Sequence, residues 1–302
     1  GCPLKAQIQK DVRLRIKSIS EISHVKIEWT ELTDEERAKT MDRARFNLSQ
    51  EDVVTQIPRT TKSIMIASGK GGVGKSSVTA NIATGLATKG LTVGVLDADI
   101  WGFSIPQMLG VEGRLAGNEE TKKIVPLVKS VGSGTLKIIS MGFLVNEDKS
   151  SLNWRGLILN RAVRHFLEDV EWGDMDYLVI DMPPGTGDTQ LTFAQEIKVD
   201  GAVIVSTPQD LALLDVKRGI QMFDKTGVKI LGLINNMSYF KGDDGKKYKI
   251  FGESGVEKTA KEFNKEFLGH LPIHQDLRSS ADKGDPLTHA DPNHEVSILF
   301  KD

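Results

Sequence analysis

Cysteine is almost absent from this chain of 302 residues: Cys2 is the only one. No disulfide can close within the chain, which suits a reducing, cytoplasmic compartment. No apolar run approaches the ~20 residues that a membrane-spanning helix requires, and no signal peptide is legible. Charge of one sign is also lacking, with 39 Lys and Arg against 41 Asp and Glu and a formal net charge of −2. A global electrostatic case for nucleic-acid binding is therefore absent, and Lys122-Lys123 and Lys246-Lys247 are thin local candidates. The few Trp and Phe residues are scattered and read as core. Six histidines (His24, His165, His270, His274, His289 and His294) show no metal-ligand spacing. His270 and His274 stand four apart, but Pro272 between them argues against one helix face. Internal repeats and low-complexity segments are missing too. The chain starts at Gly1 rather than methionine, which points to a fragment of something longer.

What is present centres on the run Ser63-Ile64-Met65-Ile66-Ala67-Ser68, followed by Gly69-Lys70-Gly71-Gly72-Val73-Gly74-Lys75-Ser76-Ser77. A short apolar strand enters a glycine-rich turn, and a helix-compatible run follows. That context supports a G-x-x-x-x-G-K-[ST] match. The glycines let successive backbone N–H groups point at phosphate oxygens, and the helix start adds its unpaired donors. In this reading Lys75 reaches the β- and γ-phosphates of ATP and the Ser76 hydroxyl sits on Mg²⁺.

Apolar runs at 64–67, 91–96, 136–140, 177–180, 202–206 and 228–234 alternate with helix-like stretches at 76–89, 156–170, 188–197 and 210–225. This order predicts an α/β fold, a mostly parallel sheet flanked by helices, with ligands at the carboxyl ends of its strands. The segment 110–135 reads as an irregular excursion. Upstream, Leu4, Ile8, Val12, Ile16 and Ile19 have helical spacing, and Val25, Ile27 and Trp29 alternate as a strand. One helix and one strand cannot bury a core alone, so 1–30 reads as a truncated small α+β piece. Thr33-Asp34-Glu35-Glu36 is a capping box opening a charged helix, and 31–61 reads as a linker to an ATPase domain over 62–302.

Two strand ends carry carboxylates: Leu96-Asp97-Ala98-Asp99 and Ile180-Asp181-Met182-Pro183-Pro184-Gly185. Asp181 suits a Mg²⁺-binding role, Asp97 the second coordination shell and Asp99 the orientation of attacking water. Gly185 could present its N–H to the γ-phosphate. Lys70 is not required by an ordinary phosphate loop, and a second cation there could neutralise charge developing on the γ-phosphate.

The composite of Gly69-Lys70-Gly71-Gly72-Val73-Gly74-Lys75-Ser76, Asp97-Ala98-Asp99 and Asp181-Met182-Pro183-Pro184-Gly185 resembles the deviant phosphate-loop ATPases of the MinD/ParA class. The resemblance implies a homodimer in which Lys70 reaches across to the partner's nucleotide. Ile100-Trp101-Gly102-Phe103-Ser104-Ile105-Pro106, Trp154-Arg155-Gly156, Gly185-Thr186-Gly187-Asp188 and Asn235-Asn236-Met237-Ser238 narrow it to the Mrp/ApbC subfamily, ATP-dependent iron–sulfur cluster carriers. By that likeness Asn236 contacts the adenine, with Asn235 the alternative, and the partners are apo iron–sulfur proteins and cluster assembly factors. Residues 1–30, opening Gly1-Cys2-Pro3-Leu4, resemble the end of a SufT-like iron–sulfur assembly domain.

One departure concerns the cargo. Where the family carries Cys-x-x-Cys, this chain reads Phe240-Lys241-Gly242-Asp243-Asp244-Gly245-Lys246. Glycine offers no ligand, the aspartates are hard donors ill-matched to iron–sulfur clusters, and Asp243-Asp244-Gly245 reads as a hairpin turn. Cys2 is either an iron–sulfur ligand completed by outside thiolates or a small apolar side chain. The alternative reading is a MinD/ParA-like positioning or regulatory ATPase that binds no cluster. An electron-transfer ATPase with a dimer-bridging cluster lacks its cysteines here.

Overall fold

The computed structural model describes residues 12, 13, 16, 25–27, 33, 55–99, 102–143, 164–186, 190, 199–253 and 255–301. The chain divides into two compact units, Gly1–Asp52 and Val53–Asp302. In the first, Val12, Arg13 and Ile16 are helical. Cys2, the capping box beyond Thr33, Trp101, Trp154-Arg155-Gly156 and Gly187-Asp188 lie outside the described residues.

The second unit is built on an eight-stranded sheet. Its strands are β1 (Lys62–Ala67), β2 (Thr92–Asp97), β5 (Leu127–Val131), β6 (Gly134–Ser140), β7 (Tyr177–Asp181), β8 (Gly201–Ser206), β9 (Ile230–Asn235) and β12 (Phe267–His270). Their order across the sheet is β12-β9-β8-β1-β7-β2-β6-β5. Every pairing is parallel except β5 with β6. Side chains alternate between two buried faces, so Met65 enters one apolar cluster with Leu96, Ile180 and Trp172. Its neighbour Ile66 enters the other with Val95, Val179 and Val205. Burial on both sides explains why these strands read as continuous apolar runs.

All six expected strands are present. The segment 110–135, expected to be irregular, instead contains a short ladder of β3 (Ala116–Gly117) with β4 (Ile124–Val125), and the edge strand β5. The edge position explains the weak signal. Val128 is exposed, while Lys129 runs inward and donates from Nζ to the carbonyls of Leu109 (2.7 Å) and Gly284 (2.8 Å).

Helix α1 (Lys75–Thr88) follows β1 directly, α2 (Ile105–Met108) follows β2, and α3 (Asp210–Thr226) follows β8. A helical turn spans 164–168, and Gln190 is helical; the remainder of 156–163 and 188–197 is outside the described residues. After β9 come a hairpin of β10 (Phe240–Lys241) and β11 (Lys247–Tyr248), then α4 (Gly255–Glu262), α5 (Gln275–Asp282), α6 (Leu287–Ala290) and α7 (Glu295–Leu299). Helix α6 braces α1 from outside. Thr288 Oγ1 donates to the Asn81 carbonyl (2.9 Å) and lies 2.6 Å from Thr84 Oγ1, and its N–H donates to Asn81 Oδ1. Among the described residues no helix is long and apolar enough to cross a membrane.

Candidate nucleotide site

Strand β1 lies between β8 and β7, so the loop that follows it opens at the carboxyl edge where neighbouring strands carry their acids. The register sets Asp97 directly opposite Asp181 and Ile66 opposite Asp181. Position on the sheet, rather than local turn chemistry, thus brings both carboxylates to the loop. The loop borders a cavity of about 390 Å³ lined by Ser68, residues 70–77, Asp99 and Pro184 among others. Gly72 and Gly74 have φ of +76° and +82°, a left-handed backbone that favours glycine. A Cβ on Gly74 would lie 2.2 Å from Asn236 Nδ2, so close approach is a second reason for glycine there.

Asp181 is fully buried and collects donors. Ser76 Oγ donates to its Oδ2 (2.6 Å), Thr79 Oγ1 to its Oδ1 (2.7 Å), and Lys75 Nζ stands 2.8 Å from Oδ2. Lys75 is also 3.8 Å from Asp99 Oδ2. Thr79 was missed in the sequence. It is three residues beyond Ser76 on the same helix face, which is the spacing that could have found it. Ser140 was missed as well: its Oγ donates to Asp97 Oδ2 (2.9 Å), and the Asp99 N–H donates to Asp97 Oδ1.

The Asp97 carboxyl is pushed up to about 7, first by burial and next by the charge of Asp181; the Ser140 and Asp99 hydrogen bonds oppose this and do not win. Asp97 sits behind the cavity and Asp99 lines it. Two hard oxygen groups, Ser76 Oγ and the Asp181 carboxylate, share one corner with Lys75. Such a donor set fits Mg²⁺, which prefers one or two carboxylates, a hydroxyl and substrate phosphates.

The remaining expected residues are placed as follows. Gly185, with φ of +110°, donates its N–H to the Ser68 carbonyl (3.0 Å), so that donor is engaged. Asn236 Nδ2 donates to the Val73 carbonyl (2.8 Å), which ties the end of β9 to the phosphate loop. Asn235 points elsewhere, with Nδ2 3.1 Å from His270 Nδ1. Lys70 lines the cavity and donates from Nζ to Gln209 Oε1 (3.1 Å).

The expected hairpin is present at 240–248. Gly245 has φ of +77°, and a Cβ on Gly242 would lie 2.8 Å from the Tyr248 ring. Only Gly245 needs the left-handed backbone; Gly242 abuts exposed side chains that can shift, and no described residue of the hairpin offers a thiolate.

Sequence spacing did not bring His294 near His274, yet with Asp276 they form the one group of potential metal ligands found among the described residues. Each imidazole is in use as a helix cap. His274 Nδ1 accepts from the Asp276 N–H (3.2 Å) and His294 Nδ1 from the Val296 N–H (3.1 Å). In a neutral ring this leaves the proton on Nε2, so no lone pair remains for a metal.

The family profile described as ParA, NUBPL iron-transfer P-loop NTPase, matches residues 59–302. A curated iron-sulfur cluster carrier protein of Synechocystis sp. is 41% identical over 294 residues, covering 97% of this chain and 79% of that protein. The carrier protein of Escherichia coli K12 is 45% identical over 239 residues, covering 79% of this chain but 63% of that protein. Among solved structures, a nucleotide-binding protein of Archaeoglobus fulgidus in complex with ADP aligns with a TM-score of 0.64 at 38% identity, over 84% of this chain and 92% of that one. The MinD protein of Pyrococcus horikoshii with Mg-ADP shares the fold, with a TM-score of 0.58 at 20% identity over 80% and 93% of the two chains. The nucleotide loop, the opposed carboxylates and these likenesses agree: the chain belongs to the ParA-type family of iron-transfer P-loop NTPases.

Proposed function

We propose that the chain binds and hydrolyses ATP as part of an iron–sulfur cluster carrier, with nucleotide state governing its hold on cargo or partners. The single observation that carries the proposal is the Lys75–Ser76–Asp181 corner beneath a glycine-rich loop, in a chain similar to named carrier proteins. The loop from Gly69 to Ser77 cradles the phosphates with its backbone N–H groups, and Lys75 contacts the β- and γ-phosphates. Ser76 and Asp181 would hold Mg²⁺, with Asp97 behind them; when bound, that ion neutralises phosphate charge. Lys75 stands 2.8 Å from Asp181, and phosphates bound in the loop would compete with that carboxylate for its ammonium.

Asp99, at the cavity wall, orients the attacking water, and its Oδ1 is held by the Gly102 N–H (3.1 Å). Lys70 stabilises charge on the γ-phosphate within a homodimer. Lys70→Ala is expected to keep some nucleotide binding, weaker for a triphosphate than in wild type, while turnover falls roughly 10³-fold, the scale of a lost arginine finger. Phosphate release beside equilibrium nucleotide binding checks this, and equal turnover in both proteins would remove the role. Asn236 lies at the loop and is the better placed of the two asparagines for a base contact.

Cargo is the iron–sulfur cluster, delivered to apo iron–sulfur proteins. The hairpin supplies no thiolate, and Cys2 is the one thiol of this chain that could join thiolates from outside it. Anaerobic reconstitution of the full chain, with iron and sulfide counted per dimer, tests this. Stable cluster that disappears in Cys2→Ser is the expected result. No cluster in either protein would overturn the carrier reading and leave an ATP-driven switch acting on partners.

A further inference from the structure

The start of the phosphate loop rests on α3. A Cβ on Gly69 would lie 2.5 Å from Asp215 Cβ and 2.6 Å from the Asp215 carbonyl carbon, so only glycine lets the two backbones meet there. Ser68 Oγ donates to the Lys70 carbonyl (3.0 Å), which fixes the next residue and leaves its side chain to run over the beginning of the helix. Gln209, the residue before α3, is an extended N-cap whose own side chain makes no capping bond. Glutamine is not a favoured cap, and here its Oε1 accepts from Lys70 Nζ instead (3.1 Å), across 139 positions of sequence. The contact is with a neutral amide and not a carboxylate. Such a bond is strong enough to bias a long side chain and weak enough to yield to phosphate. Lys70 borders the phosphate cavity, and Gln209 borders a second groove with Leu211, Leu214 and Phe251.

We propose that Gln209 is a positioning residue that parks the Lys70 ammonium over α3 and surrenders it to an arriving γ-phosphate. This rests on the reading that Lys70 acts on the γ-phosphate. The parked form lowers the fraction of chains with Lys70 available, and apparent affinity for a triphosphate falls by that fraction. Release frees the Gln209 side chain at the edge of the Leu211–Phe251 groove, so occupancy of the phosphate site is felt at the start of α3.

The test pairs two near-isosteric variants with opposite effects on the latch. Gln209→Leu removes the acceptor, and Gln209→Glu replaces it by a carboxylate that grips the ammonium more strongly. Affinity for a non-hydrolysable ATP analogue is expected to rise about 2- to 5-fold in the first variant and fall about 3- to 10-fold in the second. The fall should shrink in high salt, because the new pair is half-exposed to solvent and screened. Affinity for ADP, which lacks the γ-phosphate, should stay constant in both. A merely structural role for Gln209 would shift both variants in one direction and move ADP as well, and either outcome overturns the proposal. The same two substitutions in a Lys70→Ala background should have no effect, and additive effects there overturn the latch. Wild-type turnover in Lys70→Ala alone would sink the Lys70 reading instead, which separates the two failures.

Discussion

Lys75→Ala is expected to bring ATP turnover to background, a loss of at least about 10³-fold, because one side chain carries two charges' worth of work. Its ammonium is almost entirely buried, 2.8 Å from Asp181 and 3.8 Å from Asp99. With nucleotide it would be the cation nearest the phosphates inside the loop. Alanine leaves neither phosphate nor carboxylate neutralised. Breaking a buried ion pair on one side costs about 3–5 kcal/mol, so the variant should also unfold earlier. The turnover assay is therefore read beside a denaturation curve, under conditions where both proteins are folded. Turnover at the wild-type rate in folded Lys75→Ala would refute the nucleotide site as drawn.

Asp97→Asn should do the opposite to stability, and only above about pH 4. In the folded chain the Asp97 carboxyl is pushed up to about 7, against an ordinary 3.8. The native state therefore keeps a proton that the unfolded chain sheds between those values. Stability contributed at this site is intact below about pH 4 and is lost as pH rises toward 7. Asparagine has nearly the same shape, can still take part in the Ser140 and Asp99 contacts, and never ionises. The variant should be more stable than wild type at pH 8 by on the order of 2–4 kcal/mol, with the difference vanishing near pH 4. Urea titrations without nucleotide or Mg²⁺ measure this directly. A variant no more stable than wild type at pH 8 would show that burial at Asp97 is relieved in some other way. Since Asp97 supports the Mg²⁺ corner in our reading, the gain in stability should come with slower hydrolysis, a trade familiar at strained sites.

Much of this was legible beforehand because the governing signals are local. The loop glycines, Lys75 and Ser76 occupy consecutive positions, and strands buried on both faces announce themselves as apolar runs. Asp97 and Asp181 could be assigned to strand ends from those runs alone. What stayed hidden depends on neighbours remote in sequence. Strand β5 alternates too weakly at the sheet edge, with Lys129 facing inward on carbonyls. Strand β12 and helices α5 to α7 are short, and the caps His274 and His294 are not the usual Ser, Thr, Asp or Asn. Ser140 matters only because β6 lies beside β2, and Gln209 only because the loop lies on α3. A glutamine before a helix carries no signal until its partner lysine is known.

The position of β1 between β7 and β8 has a consequence for how the molecule is made. The phosphate loop hangs from a strand with no partner close to it in the chain; Thr61, at its start, bonds the Met175 carbonyl 114 positions later. A growing polypeptide that has emerged as far as Ser76 holds the whole motif and none of the scaffold that shapes it. The loop can take form only after β7, β8, α3 and β9 have been synthesised and slotted against it, a non-local closure of the kind that slows folding. Nucleotide affinity should accordingly be absent from nascent chains ending before about Asn236 and appear beyond it, making ATP a marker that the central strands are in place.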